Sequence, residues 1–328
     1  MKPFRGKILV IRGGAIGDFI LTLPAIAALR RQFPEAHLEV LGYPHIVQLA
    51  LAGGLANRVQ SIEARGLAGF FARGGELAEE LVDYFSEFEV IVSYLYDPDE
   101  IFKVNVGRCT SGQFIAGRHR PDEKAKLHAT AVYLKPLERL AIFDADPVPR
   151  LSFESGRQAG HGGPSVNRIA LHPGSGSERK NWPEANWAEL LQYLVHSTEL
   201  NLLLVGGEAE GERLQRLAAA LPPARAGVAH SLPLAELAAR LQGCSGFIGH
   251  DSGISHLAAA VGLDALVLWG DTSSEEIWRP MGDKVTVLRA EEGLGNLSVQ
   301  RVVEAMQNPK LQAPEKLQVP NSKLQTEH

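Results

Sequence analysis

Three short stretches of this chain carry residue types that could do chemistry. In "VIRGGAIGDFILTLPAIAALR", residues 10–30, an apolar run enters a glycine turn and a lone carboxylate, Asp18, stands where a helix begins. In "IALHPGSGSERKNW", Gly174, Ser175, Gly176 and Ser177 offer backbone N–H groups and two hydroxyls, and Lys180 follows as a point charge suited to phosphate. In "GHDSGISHLAAAVG", Asp251, Ser252 and Gly253 join an apolar run to a helical pattern. The N–H groups of Gly253 and Ile254 would then point out of a helix N-terminus, where unpaired donors and the dipole favour an anion. Two anion sites and a carboxylate are what a nucleoside diphosphate donor and a general base would need.

Each stretch has a plainer alternative. Asp18 could merely complement a helix dipole, Lys180 could be a solvated loop lysine, Asp251 or Ser252 an ordinary N-cap, and His256 a satisfied helix histidine. Glu208 and Glu210, in "GGEAEGE", could meet ribose hydroxyls or simply be surface charge near a helix start. The opening turn is a broken dinucleotide fingerprint, because Arg12 occupies the first glycine position of G-x-G-x-x-G. The second strand also ends in Gly42 and Tyr43 where a ribose-binding acid is wanted. A nicotinamide-dependent oxidoreductase is therefore the weaker alternative; a non-catalytic nucleotide-sugar-binding protein is the other.

Positioning these residues requires two α/β units. The chain has 328 residues, 45% hydrophobic, and short apolar runs alternate with amphipathic patterns in both halves. Strands are predicted at 8–12, 38–42, 90–94 and 114–117, then at 168–172, 201–206, 246–249, 265–269 and 285–288. Residues 1–155 read as one Rossmann-like domain and 168–308 as a second, joined by a polar, glycine-rich linker at 156–167, with 309–328 as a flexible tail. Two such domains would face each other across a cleft at the carboxyl ends of their strands.

A net charge of −5 gives no basic field of the kind that draws nucleic acid, so no nucleic-acid partner is expected. Two cysteines rule out a disulfide framework and leave no zinc spacing, which fits a cytoplasmic protein. No apolar run reaches the roughly 20 residues of a spanning helix, which still permits peripheral contact with an inner membrane.

Taken together, "ILVIRGGAIGDFILTLPAIAALRRQFPEAHLEVLG", "LHPGSGSERKNWP" and "GHDSGISHLAAAVGLDALVLWGDT" resemble the family 9 glycosyltransferases, the ADP-heptose:lipopolysaccharide heptosyltransferases. The resemblance runs from about residue 8 to about residue 282. It implies a GT-B fold, with the acceptor on the N-terminal domain and a nucleotide-sugar donor, an ADP-sugar, on the C-terminal one. It further implies inverting transfer to a lipid-linked saccharide acceptor with neither metal nor cofactor. On this resemblance Asp18 is the base, Lys180 attends the donor phosphates, and Ser175, Gly176, Ser177, Asp251, Ser252, Gly253 and His256 line the donor site with Glu208 or Glu210 at the ribose. An anionic acceptor would meet Arg12, Gly13, Gly14, Arg118 and Arg120, with His119, Lys124 and Lys126 nearby. The continuation "GDTSSEEIWRPMG" departs from the family's T-x-P pattern, which leaves the donor sugar open.

Overall fold

The computed structural model describes residues 3–153 and 167–307. The first sheet holds β1 (Lys7–Arg12), β2 (His37–Gly42), β3 (Arg58–Ser61), β4 (Val90–Ser93) and β5 (Gln113–Ala116), all parallel, in the order β3-β2-β1-β4-β5. The second holds β6 (Arg168–Leu171), β7 (Asn201–Gly206), β8 (Ala226–His230), β9 (Gly246–His250), β10 (Asp264–Trp269) and β11 (Val285–Arg289), also parallel, in the order β11-β10-β9-β6-β7-β8. Helices of the first unit are α1 (Ile16–Ile20), α2 (Leu23–Gln32), α3 (Pro44–Ala52), α4 (Glu79–Ser86), α5 (Ile101–Gly107) and α6 (Ala129–Leu134). Those of the second are α7 (Glu184–Ser197), α8 (Gly211–Ala219), α9 (Leu234–Gln242), α10 (Gly253–Ala260), α11 (Glu275–Trp278) and α12 (Val299–Gln307).

Alternation along the central strands divides the core. Ile8 and Val10 of β1 face one apolar cluster while Leu9 and Ile11 face another, built with Phe70, Phe85 and Phe102. Likewise Leu203 and Val205 of β7 turn one way, and Leu202 and Leu204 turn toward Trp187 and Leu190. Such double-faced burial is why these strands read as continuous apolar runs. One cluster includes residues from both sheets, Ile8 and Val10 together with Leu203 and Val205, so the two units share an apolar interior, with α3 packed on α9 and α1 on α10.

Two strands escaped the sequence reading. β3 (RVQS) and β8 (AGVAH) are sheet edges with mostly part-exposed or exposed side chains, so neither displays the apolar run that marked the central strands. The boundary at residue 156 and the tail 309–328 lie outside the described residues, as does all of the linker but Asn167. Among the described residues no helix is long and apolar enough to cross a membrane, and no cluster of three or more His, Cys, Asp or Glu could hold a metal ion.

The two units meet closely where α1 faces α10. A Cβ on Gly17 would lie 3.2 Å from His256 Cδ2; one on Gly253 would lie 2.7 Å from Ile16 Cβ and 3.1 Å from the Gly17 nitrogen. Around this contact Leu151 N–H donates to the Ala260 carbonyl at 2.8 Å, the Arg150 guanidinium pairs with Asp283 at 2.7 Å, and His128 Nε2 donates to the Arg279 carbonyl at 2.9 Å. Gly253→Ala should overpack this approach at a cost of roughly 1–3 kcal/mol and push the units apart. Small-angle scattering should then report a larger radius of gyration than wild type; superimposable curves would contradict the steric account.

Candidate active site

All three motif stretches follow strands at which the sheet order changes direction. In the first sheet that point lies between β1 and β4, and the Asp18 turn leaves β1; in the second it lies between β6 and β9, with the Lys180 loop leaving β6 and the Asp251 turn leaving β9. Crevices at the carboxyl ends of strands beside such a switch are where open α/β sheets bind ligands. The α1–α10 contact sets the two crevices face to face.

On the first side, Asp18 is the third residue of α1. Its Oδ2 accepts the Ala15 N–H at 3.1 Å, closing the first turn, and its Oδ1 lies 3.4 Å from Arg12 Nη2. About a quarter of the side chain, 24%, remains exposed. Gly14 makes this possible: its φ is +97°, and a Cβ there would sit 2.9 Å from Asp18 Oδ2. Gly13 is looser, with only Leu95 Cδ2 within reach, at 3.7 Å. Asp18 thus sits in the first turn of α1, where it complements the helix dipole, yet its carboxylate stays part-exposed.

Arg12 departs from expectation. It is 3% exposed and lies behind Asp18, donating to the His119 carbonyl and the Tyr133 hydroxyl, each at 2.9 Å, with its guanidinium 4.4 Å from the Tyr133 ring centre. Its guanidinium thus faces interior partners and the Asp18 carboxylate, with Nε left without a hydrogen-bond partner among the described residues. Arg120 is exposed but its guanidinium lies over Trp278 of the second unit, 5.5 Å from the ring centre. Arg118 is exposed and lines a cavity of about 220 Å³ with Ser93, Leu95, Tyr96, Lys103 and His119 at the ends of β4 and β5.

On the second side, Lys180 Nζ forms an ion pair with Asp251 Oδ2, to which Ser273 Oγ also donates. Several hydroxyls expected to face a donor are turned inward instead. Ser175 Oγ bonds the Ser177 carbonyl at 2.9 Å and Asn181 Oδ1 at 2.7 Å, so it braces its own loop. Ser252 caps α10, accepting from Ser255 N–H at 3.4 Å. Gly176, at φ +73°, and Ser177 are exposed, and Gly253 is half-buried beneath Ile16. Between the two glutamates the geometry discriminates: Glu210 is buried against Gly174 and accepts the Gly207 N–H at 2.9 Å, while Glu208 is exposed.

Two residues that sequence reasoning passed over hold the Lys180 loop. His250, fully buried, accepts from Trp182 N–H at 2.9 Å through Nε2, so its proton is on Nδ1, which donates to the Gly174 carbonyl at 3.1 Å. Arg213 of α8 donates to the Pro173 carbonyl at 3.1 Å and to Glu178 at 3.0 Å. His250 stands inside the quoted GHDSG stretch and could have been flagged; nothing local announces Arg213, which reaches its partners from another helix.

Burial pushes His128, His172 and His256 down to about 4 and His250 down to about 3. His256 Nδ1 has no hydrogen-bond partner among the described residues. All four rings are neutral in the folded chain and would take up protons below about pH 6.5 once unfolded. Unfolded chain therefore binds more protons between those values, and stability must fall as the pH drops through that window. Urea unfolding at about pH 7.5 and about pH 5.5 should give a lower midpoint at the more acid value; equal midpoints would show that the rings titrate normally.

Comparison with known proteins agrees with the motifs. Residues 141–306 match the family model described as glycosyltransferase family 9 (heptosyltransferase). Lipopolysaccharide heptosyltransferase 1 of Pseudomonas aeruginosa is 34% identical over 300 residues, covering 81% of this chain and 79% of that protein. Lipopolysaccharide heptosyltransferase 3 of Escherichia coli is 22% identical over 298 residues, covering 82% and 84%. Among solved structures, E. coli ADP-heptose LPS heptosyltransferase II superimposes with a TM-score of 0.74 at 20% identity, over 92% of this chain and 97% of that one. E. coli heptosyltransferase WaaC with ADP gives 0.71 at 18%, over 92% and 99%. These likenesses of fold make the two facing sheets a GT-B arrangement, and the matches in sequence leave no support for a nicotinamide-dependent oxidoreductase: the chain belongs to glycosyltransferase family 9.

Proposed function

We propose that this glycosyltransferase moves a heptose from ADP-heptose to a lipopolysaccharide core or related envelope saccharide, inverting the anomeric centre and using no metal. The observation that carries the reading is the meeting of two switch points across the α1–α10 contact, a carboxylate on one side and a lysine beside a helix N-terminus on the other. The relatives named as lipopolysaccharide heptosyltransferases supply the substrate class.

Transfer passes through an oxocarbenium-like state, so charge must be stabilised on the departing diphosphate while the acceptor hydroxyl loses its proton on the opposite face. Lys180 and the first-turn N–H groups of α10 take the diphosphate in this scheme, with Gly176 and Ser177 beside it. Glu208, the exposed member of its pair, reaches the ribose. Asp18 removes the proton, held in place by Ala15 N–H and Arg12. The acceptor enters the cavity at the ends of β4 and β5, where Arg118 is exposed and the Tyr96 ring lies tilted against His119, their centres 4.6 Å apart. We place the work at the cytoplasmic face of the inner membrane, where a peripheral contact would bring the site to a lipid-linked acceptor.

Asp18→Asn should bind ADP as wild type does and lose roughly 10²–10⁴-fold in turnover. Equal rates would remove Asp18 as base, and a wild type that binds ADP-heptose without transferring it would favour the non-catalytic alternative. Lys180→Ala should weaken ADP binding by about 10-fold or more, because the diphosphate loses a charged partner and meets the uncovered Asp251 carboxylate. Adding Asp251→Asn should then recover part of the loss by calorimetry; unaltered affinity in the single variant would contradict the role of Lys180.

A further inference from the structure

The loop between β6 and α7 has little regular structure of its own beyond one short turn at Glu178–Lys180, yet it must hold Lys180 steady. We propose that His250 is a positioning residue for donor binding, a neutral ring that ties the beginning of this loop to its end. Because β9 lies beside β6 in the sheet, the ring at the end of β9 sits between Gly174, the residue where the loop starts, and Trp182, where it closes. The neighbouring residue, Asp251, grips Lys180 itself. Two consecutive side chains thereby fix the loop at three points. The imidazole is further held edge-on by Trp187 at 5.4 Å between ring centres, and Trp187 meets Trp182 in the same way, also at 5.4 Å.

The chemistry asks for a neutral imidazole in one tautomer. One nitrogen must accept and the other donate, on opposite edges of a flat ring, and a buried apolar side chain would leave the Gly174 carbonyl and the Trp182 N–H unpaired. Burial that pushes the ring down to about 3 keeps it in that uncharged form. The ligand in this inference rests on the donor reading above, whereas the clamp itself can be tested without any ligand.

The experiment compares the full chain with His250→Leu, His250→Asn and His250→Gln. Asparagine can keep the donor to Gly174 and glutamine can present an acceptor to Trp182, so these two guard against a leucine variant that fails to fold. Hydrogen exchange should quicken across residues 174–182 in the leucine variant, with protection of β9 and α7 beyond the loop retained. ADP affinity by calorimetry should weaken roughly 5- to 30-fold, with the KM for ADP-heptose rising in step, the KM for acceptor unmoved, and the amides in between. Unchanged exchange in the loop overturns the clamp. So does a general loss of protection that raises both KM values together, which would mean a merely structural histidine. A wild type that does not bind ADP overturns the donor reading instead, and the exchange result then decides the clamp alone.

Discussion

The absence of two Cβ atoms lets the N-terminal turns of α1 and α10 touch, and the site exists because they do. Gly17 lies against His256 and Gly253 against Ile16, which brings the helix starts that follow β1 and β9 into contact. The apolar interior shared by both sheets supplies the adhesive, through α3 on α9 and the aliphatic residues behind them. Polar links also join the units: the exposed Arg150–Asp283 pair, which adds little strength, and the buried His128 bonded to the Arg279 carbonyl.

Charge is distributed sparingly in the space so formed. Each side carries one internal pair, Arg12 with Asp18 and Lys180 with Asp251, while the histidines that surround them are neutral. The pairs are unequal. Arg12 is buried and held by carbonyl, hydroxyl and ring partners, though its Nε has no hydrogen-bond partner among the described residues. Lys180 is held by a carboxylate and stays part-exposed, so under the proposed donor role an anion would compete with Asp251 for it. Low permittivity around such groups makes their placement matter more than their number.

Much of the first layer was legible in the residue order. Alternating apolar runs and helical patterns dictated two parallel α/β sheets, because a strand buried on both faces is mostly apolar. The glycine turn with Asp18, the Gly-Ser loop with Lys180 and the Asp-Ser-Gly helix start each announced themselves by type and spacing. Edge strands β3 and β8 did not, since half-exposed strands need no apolar run.

Residue order alone thus determined the fold class and which groups could carry chemistry, since backbone propensity and periodicity are local properties, and the resemblance of three motifs pointed to the family. It could not say that Arg12 turns inward, that Ser175 and Ser252 spend their hydroxyls on their own turns, or that Glu208 rather than Glu210 stays open. Nor could it name the partners of His250 and Arg213, which lie 68 and 76 residues away for the first and 40 and 35 for the second. Such assignments depend on which side chains meet after the sheets have folded and packed, and only the tertiary structure decides which polar groups are already satisfied before a ligand arrives.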